Sequence, residues 1–237
     1  MNWPHQGALR LHHDPTRLPI QRPADQPGRD RFDDPIGEFV MRYVASDLRG
    51  CLIETMDRFR PNPKAEALLA SISGSEEVPG KTPALVDGVD EWLAQQRVAH
   101  VQLETAEALL VDVNDPEVLE RLDSHPRVRA VLDASDLGTE VSPARLDGGL
   151  IRLSGRYGRP ITQAVARAVH EWFPDCVGVG YRSRHDDRTQ CWAVYGTTPV
   201  TFGATIEVLD PTNEGHARAV RDVAKLFRIP LPARWHA

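Results

Sequence analysis

Apolar positions along the chain follow two rhythms. A short alternation at Ala8-Leu9-Arg10-Leu11-His12 and a β-rich run from Phe39 to Ala45 predict two strands. Residues 14–36 between them are crowded with Pro, Asp, Arg and Gly and repeat at neither period, which predicts a loop. Positions Leu48, Cys51, Leu52, Thr55, Met56 and Phe59 recur every three or four residues, so they predict an amphipathic helix. Ser46 or Asp47 can cap it, and Pro61 lies past its end. A further helix is expected around Lys64–Ser71, followed by an exposed connection in the run SGSEEVPGKTP.

Glu91-Trp92-Leu93 is expected to open a short helix, and Val98–Leu103 and Ala108–Val113 read as strands. Asp115 as cap and Pro116 at the first position start a helix that runs to about Leu122. Residues 133–149 are polar and read as a loop. Ile161, Val165, Val169 and Trp172 align on one face of a helix over Ile161–Phe173. Strands are predicted at Val177–Tyr181, Cys191–Tyr195 and Thr205–Leu209, and Thr212 or Asn213 caps a last helix through Phe227. This order lacks a strict βαβα alternation, so it favours an α+β fold in a single domain over a doubly wound sheet.

The bulk properties exclude several classes. With 237 residues, 41% hydrophobic and 26% charged, the chain matches an ordinary globular protein. A net charge of −6 argues against a general nucleic-acid binder. No apolar run approaches a membrane span, and the start MNWPHQGALRLHH lacks the basic-then-apolar order of a signal peptide. Cys51, Cys176 and Cys191 are odd in number and far apart, which fits free thiols in a reducing cytoplasm. No glycine-rich phosphate loop, nucleophile elbow or HExxH motif is present, and the nine histidines are scattered, so no metal is expected.

Three segments, taken in order, carry the chemistry. Arg31-Phe32-Asp33-Asp34-Pro35 leads into the strand that ends near Tyr43; Cys51-Leu52-Ile53-Glu54-Thr55 lies on the first helix; Gly178-Val179-Gly180-Tyr181-Arg182-Ser183-Arg184 forms a strand and a charged loop. Read singly, each has an ordinary explanation. Arg31 is a loop arginine that water would solvate, and Tyr43 a half-buried structural tyrosine. At 100° per residue Glu54 falls about 130° off the apolar stripe, on a solvated face, and Ser183 is a turn residue.

Their order and spacing resemble the RES domain family, named for its Arg, Glu and Ser. Its members show a Gly-Arg-aromatic loop, a strand ending in Tyr, a helix bearing Glu, and later a Gly-hydrophobic-x-Tyr-x-Ser-Arg strand. Twelve residues separate Arg31 from Tyr43 and eleven separate Tyr43 from Glu54, as that pattern asks. Arg10 matches an additional arginine on the first strand, and the helix holding Thr162-Gln163 also looks like the family's. Two features depart from the pattern. Asp30 stands where the family has Gly, and 129 residues separate Glu54 from Ser183, which places a family-variable insertion within residues 61–150 of a single domain over 1–237.

The resemblance implies an ADP-ribosyltransferase-like fold of mixed sheets and flanking helices around an NAD cleft. It implies the toxin component of a bacterial toxin–antitoxin pair, acting in the cytoplasm on NAD+ as substrate. Phosphate is a candidate co-substrate, and the implied partner is a protein antitoxin, a Xre-like helical DNA-binding protein. Arg31, Glu54 and Ser183 are then the candidate catalytic residues, and Arg10, Arg31, Tyr43 and Ser183 the NAD-binding set. Breaking the nicotinamide–ribose bond passes through an oxocarbenium-like state, as glycoside cleavage does. Arginines can clamp the pyrophosphate, Glu54 can stabilise the cation, and Tyr43 and Ser183 can orient the ribose. Nicotinamide leaves as a neutral group, so no general acid and no metal is needed. The alternatives are a mono-ADP-ribosyltransferase acting on a protein and a non-catalytic RES-like binding module.

Overall fold

The computed structural model of the chain describes residues 7–16, 30–62, 83–104, 108–138, 144–153 and 155–236. The expected helix at Lys64–Ser71 lies outside them, as does the run SGSEEVPGKTP up to Thr82. Among the described residues there are seven strands and seven α-helices. The strands are β1 (Ala8–His12), β2 (Met41–Ala45), β3 (Arg97–Leu103), β4 (Leu109–Asp112), β5 (Cys176–Arg182), β6 (Gln190–Tyr195) and β7 (Val200–Val208). The helices are α1 (Leu48–Met56), α2 (Pro83–Gln95), α3 (Pro116–Asp123), α4 (Pro126–Asp133), α5 (Gly148–Arg152), α6 (Gly155–Trp172) and α7 (Glu214–Phe227). The strand order is β4-β5-β6-β2-β1-β3-β7 in one mixed sheet, so the fold is α+β. The chain divides into two compact units: Met1–Ala8, Arg17–Ser46 and Val101–Phe202 form the first, and Leu9–Thr16, Asp47–His100 and Gly203–Ala237 the second.

In the first unit β4 pairs with β5 in parallel, while β5–β6 and β6–β2 pair antiparallel. The register puts Tyr43 and Val179 opposite Ala193 on one face, and Val44 and Gly180 opposite Trp192 on the other. The Trp192 face holds an apolar cluster of Val44, Val101, Leu103, Leu110, Trp192 and Val194. The Tyr43 face receives α6, whose His170 ring lies 5.2 Å from that of Tyr195. Gly178 has φ 153°, and a Cβ there would meet the Ala193 carbonyl oxygen at 2.1 Å, so only glycine fits.

The second unit is built on α1, which packs against α7. Asp47 is the N-cap of α1, its carboxylate accepting from the Gly50 N–H at 2.7 Å. The Cys51 thiol donates to the Leu9 carbonyl on β1 at 3.1 Å. The Phe59 and Trp92 rings lie 5.5 Å apart, and Asn213 caps α7 through the N–H groups of Gly215 and His216.

Five expectations are corrected. α2 opens at Pro83 rather than Glu91; Glu91-Trp92-Leu93 is its last turn, and Gly88 inside it masks the stripe of Val86, Val89 and Leu93. α4 was not anticipated, although His125 caps it, Pro126 opens it, and Val128 and Leu132 are its buried pair. The expected loop at 133–149 contains the start of α5. α6 begins at Gly155, six residues early, through a Gly/Pro-containing segment. Gly158 is required there because a Cβ would sit 1.8 Å from the Leu153 carbonyl oxygen. β7 starts at Val200 rather than Thr205; its residues from Gly203 on are exposed, so no buried alternation marks it.

Candidate functional site

The Asp30–Glu38 segment of the first unit is a tight, fully engaged turn. The Asp33 N–H donates to the Asp30 carbonyl at 3.4 Å, and the Asp33 carboxylate accepts from the Asp30 N–H at 3.0 Å. Asp34, 1% exposed, accepts from the N–H groups of Ile36 and Glu38 and pairs with Arg167 at 3.5 Å. Burial alone would lower the Arg167 guanidinium, but its bonds to Glu38 and Glu171 outweigh that and raise it, so it stays a fixed cation.

Arg31 projects from this turn. One guanidinium nitrogen, Nη2, donates to the Ile151 carbonyl on α5 at 2.5 Å. Its Cζ lies 5.3 Å from the centroid of Phe32 and 5.1 Å from that of Tyr181; the two rings are themselves 4.8 Å apart, so the guanidinium rests against one side of an aromatic pair. Nε and Nη1 are buried and have no hydrogen-bond partner. Asp33 and Asp34 follow it closely in sequence, yet their bonds go to Tyr43, Arg167 and the turn's own backbone. Among the described residues these two donors have no partner, and a guanidinium in that state is suited to an anion.

Tyr43 lies on the same sheet face as Tyr181, two positions apart across the β2–β6–β5 register. Its hydroxyl accepts from the Phe32 N–H at 3.0 Å and donates to the Asp33 carboxylate at 3.1 Å. Burial, then the nearby Asp33 and Asp30 charges, push that hydroxyl well above the ordinary tyrosine range. It therefore holds the turn beneath Arg31. Ser183, fully buried, continues the β5–β6 ladder by donating its N–H to the Thr189 carbonyl at 3.0 Å. Its Oγ accepts from the His185 N–H at 3.1 Å, closing a turn in the charged loop after β5. Asp187 in that loop bonds Arg152 of α5. Arg31, Tyr43 and Ser183 thus belong to one unit, with Arg31 against Tyr181, Tyr43 on the same sheet face as Tyr181, and Ser183 two residues past it.

Arg10 and Glu54 belong to the second unit. Arg10, 6% exposed on β1, donates one guanidinium nitrogen to the Pro15 carbonyl at 2.8 Å. Glu54 is half-buried on α1 between the fully buried Ile53 and the Thr55 hydroxyl bonded to Cys51, so it is not on a fully solvated face.

Sequence reasoning missed the pairing of Phe32 and Tyr181 beside Arg31 and the Ile151 carbonyl; it marked the Thr162-Gln163 helix as family-like but not the role of the buried Gln163, whose amide donates to the Asp30 carbonyl at 3.1 Å. The available signal was the aromatic residue beside each motif arginine.

The RES domain family model matches residues 8–216, nearly the whole chain. The chain belongs to the RES domain family, a family of toxin–antitoxin-type domains. No curated protein and no solved structure matches it. Among the described residues no helix is long and apolar enough to cross a membrane.

Proposed function

We propose that the chain cleaves the nicotinamide–ribose bond of NAD+ and depletes the cytoplasmic NAD+ pool, as the toxin of a pair whose antitoxin is a Xre-like protein. The observation that carries this reading is the Arg31 guanidinium, which rests against the Phe32–Tyr181 pair with Nε and Nη1 unpartnered among the described residues. Those two donors suit the two oxygens of a phosphate, and the bond from Nη2 to the Ile151 carbonyl holds the side chain in place. Membership of the RES domain family supports the toxin part of this reading.

In the proposed reaction the C1′–N bond breaks heterolytically. Its electron pair passes to the pyridine nitrogen, which loses its positive charge, and an oxocarbenium-like ribose remains. The oxygen of phosphate or water attacks C1′. With water, one proton is released to solvent; hydrogen phosphate yields ADP-ribose 1″-phosphate. Arg31 holds the pyrophosphate in ground and transition states alike. By the family's motif, Glu54 is the candidate carboxylate for the developing cation, and Ser183 and Arg10 are candidate substrate contacts.

Purified protein incubated with NAD+, with and without phosphate, tests the proposal by chromatography of products. Nicotinamide with ADP-ribose 1″-phosphate supports phosphorolysis, and nicotinamide with ADP-ribose supports hydrolysis. Label retained on protein points to transfer, and no nicotinamide refutes the enzyme.

A further inference from the structure

Gln163 is an unusual residue for its place. It lies on α6 among Ile161, Ala164, Val165 and Ala166 and is only 6% exposed. A buried amide needs a partner, and this one reaches a backbone 133 residues away: Nε2 donates to the Asp30 carbonyl at 3.1 Å. That carbonyl also accepts the Asp33 N–H, so the Gln163 bond lands on the closing contact of the turn whose second residue is Arg31. The turn is fixed from other sides by Tyr43 on β2, which takes the Phe32 N–H, and by Ile151 on α5, which takes Arg31 Nη2.

We propose that Gln163 is a positioning residue for Arg31: by holding the Asp30 carbonyl it aims Nε and Nη1 of the guanidinium at the anionic group of the substrate. Its consequence for NAD+ rests on the reading above; its effect on the Arg31 side chain does not. Gln163→Leu keeps the volume and removes the donor. A single hydrogen bond of this kind corresponds to roughly a 2- to 13-fold effect.

The test has two arms. In the first, arginine is labelled with nitrogen-15, and solvent exchange of the Arg31 Nε–H is followed by NMR without any ligand. Gln163→Leu is expected to speed that exchange by the factor given. In the second, nicotinamide release is measured against NAD+ concentration. Gln163→Leu is expected to raise KM by the same factor with kcat unchanged, and to add no loss in an Arg31→Ala background. Gln163→Glu should behave like the leucine variant when ionised. It should regain affinity, relative to the wild type, as pH falls towards about 4.3 and the carboxyl becomes a donor. That reversal separates positioning from damage to the fold. Unchanged Arg31 Nε–H exchange in Gln163→Leu overturns the proposal, as does an equal KM effect with and without Arg31. If the wild type releases no nicotinamide, the NAD+ reading falls, and the exchange arm alone decides the role of Gln163.

Discussion

Replacing Tyr43 by phenylalanine removes one hydroxyl from beneath Arg31 and leaves the ring in place. Two bonds are lost: the one accepted from the Phe32 N–H at 3.0 Å and the one donated to the Asp33 carboxylate at 3.1 Å. Phe32 is fully buried, so its N–H loses a partner where water does not replace it easily. A buried donor left unsatisfied costs about 1–3 kcal/mol, and a bond to a charged group is worth about 1.5–3 kcal/mol. The two share one oxygen and do not add in full, so Tyr43→Phe should destabilise by about 2–4 kcal/mol. The same hydroxyl predicts a pH effect. Its folded-state pKa is raised, first by burial and then by Asp33 and Asp30, above the unfolded value near 10. The unfolded chain therefore releases this proton first. The contribution is complete below about pH 10 and is lost as pH rises, at about 1.4 kcal/mol per unit, until the folded pKa is reached. Urea denaturation of both proteins at pH 7 and between pH 9.5 and 11 measures the two effects. A loss under 0.5 kcal/mol at pH 7, or parallel alkaline slopes, would refute the reasoning.

Gly88→Ala should stabilise by up to about 1 kcal/mol, because the site lies inside α2 and a Cβ there meets nothing within 4 Å; thermal denaturation checks it. Gly178→Ala should cost about 2–4 kcal/mol, since β5 must move away from the Ala193 carbonyl and the residue must hold a positive φ; a normal urea midpoint would exclude this. His125, whose side chain is 3% exposed, has its pKa lowered by burial, with Glu171 opposing the shift. It stays neutral in the fold while the unfolded chain takes up a proton, so stability should decline as pH falls below about 6.5, and His125→Asn should flatten that slope.

Much of the fold was legible where local chemistry decides it. Asp115-Pro116 marks the start of α3 unaided, and Asn213 and Phe227 bracket α7. Legibility failed where tertiary contact overrides local signals. Gly158 and Pro160 are poor helix formers, yet α6 runs through them, and Gly158 lets the helix pass the Leu153 carbonyl. β7 buries little, so it left no alternation to read. At the site, the motif spacing pointed to Arg31, Tyr43 and Ser183. It could not reveal that Arg31 rests against Tyr181 or that Gln163 reaches Asp30, because sheet register and helix packing create those contacts across more than a hundred residues. Nor could it show that the Tyr43 hydroxyl is committed to Phe32 and Asp33.

The most direct test of the central claim is nicotinamide release from NAD+, followed by chromatography with excess EDTA present, for the wild type, Arg31→Ala and Glu54→Ala. The account predicts metal-independent release by the wild type. Arg31→Ala should bind NAD+ weakly through loss of a ground-state contact. Glu54→Ala should keep measurable affinity and lose about 100- to 1000-fold in kcat, the usual effect of removing one electrostatic stabiliser. Wild-type protein that releases no nicotinamide, or an Arg31→Ala variant with unchanged KM and kcat, would contradict it.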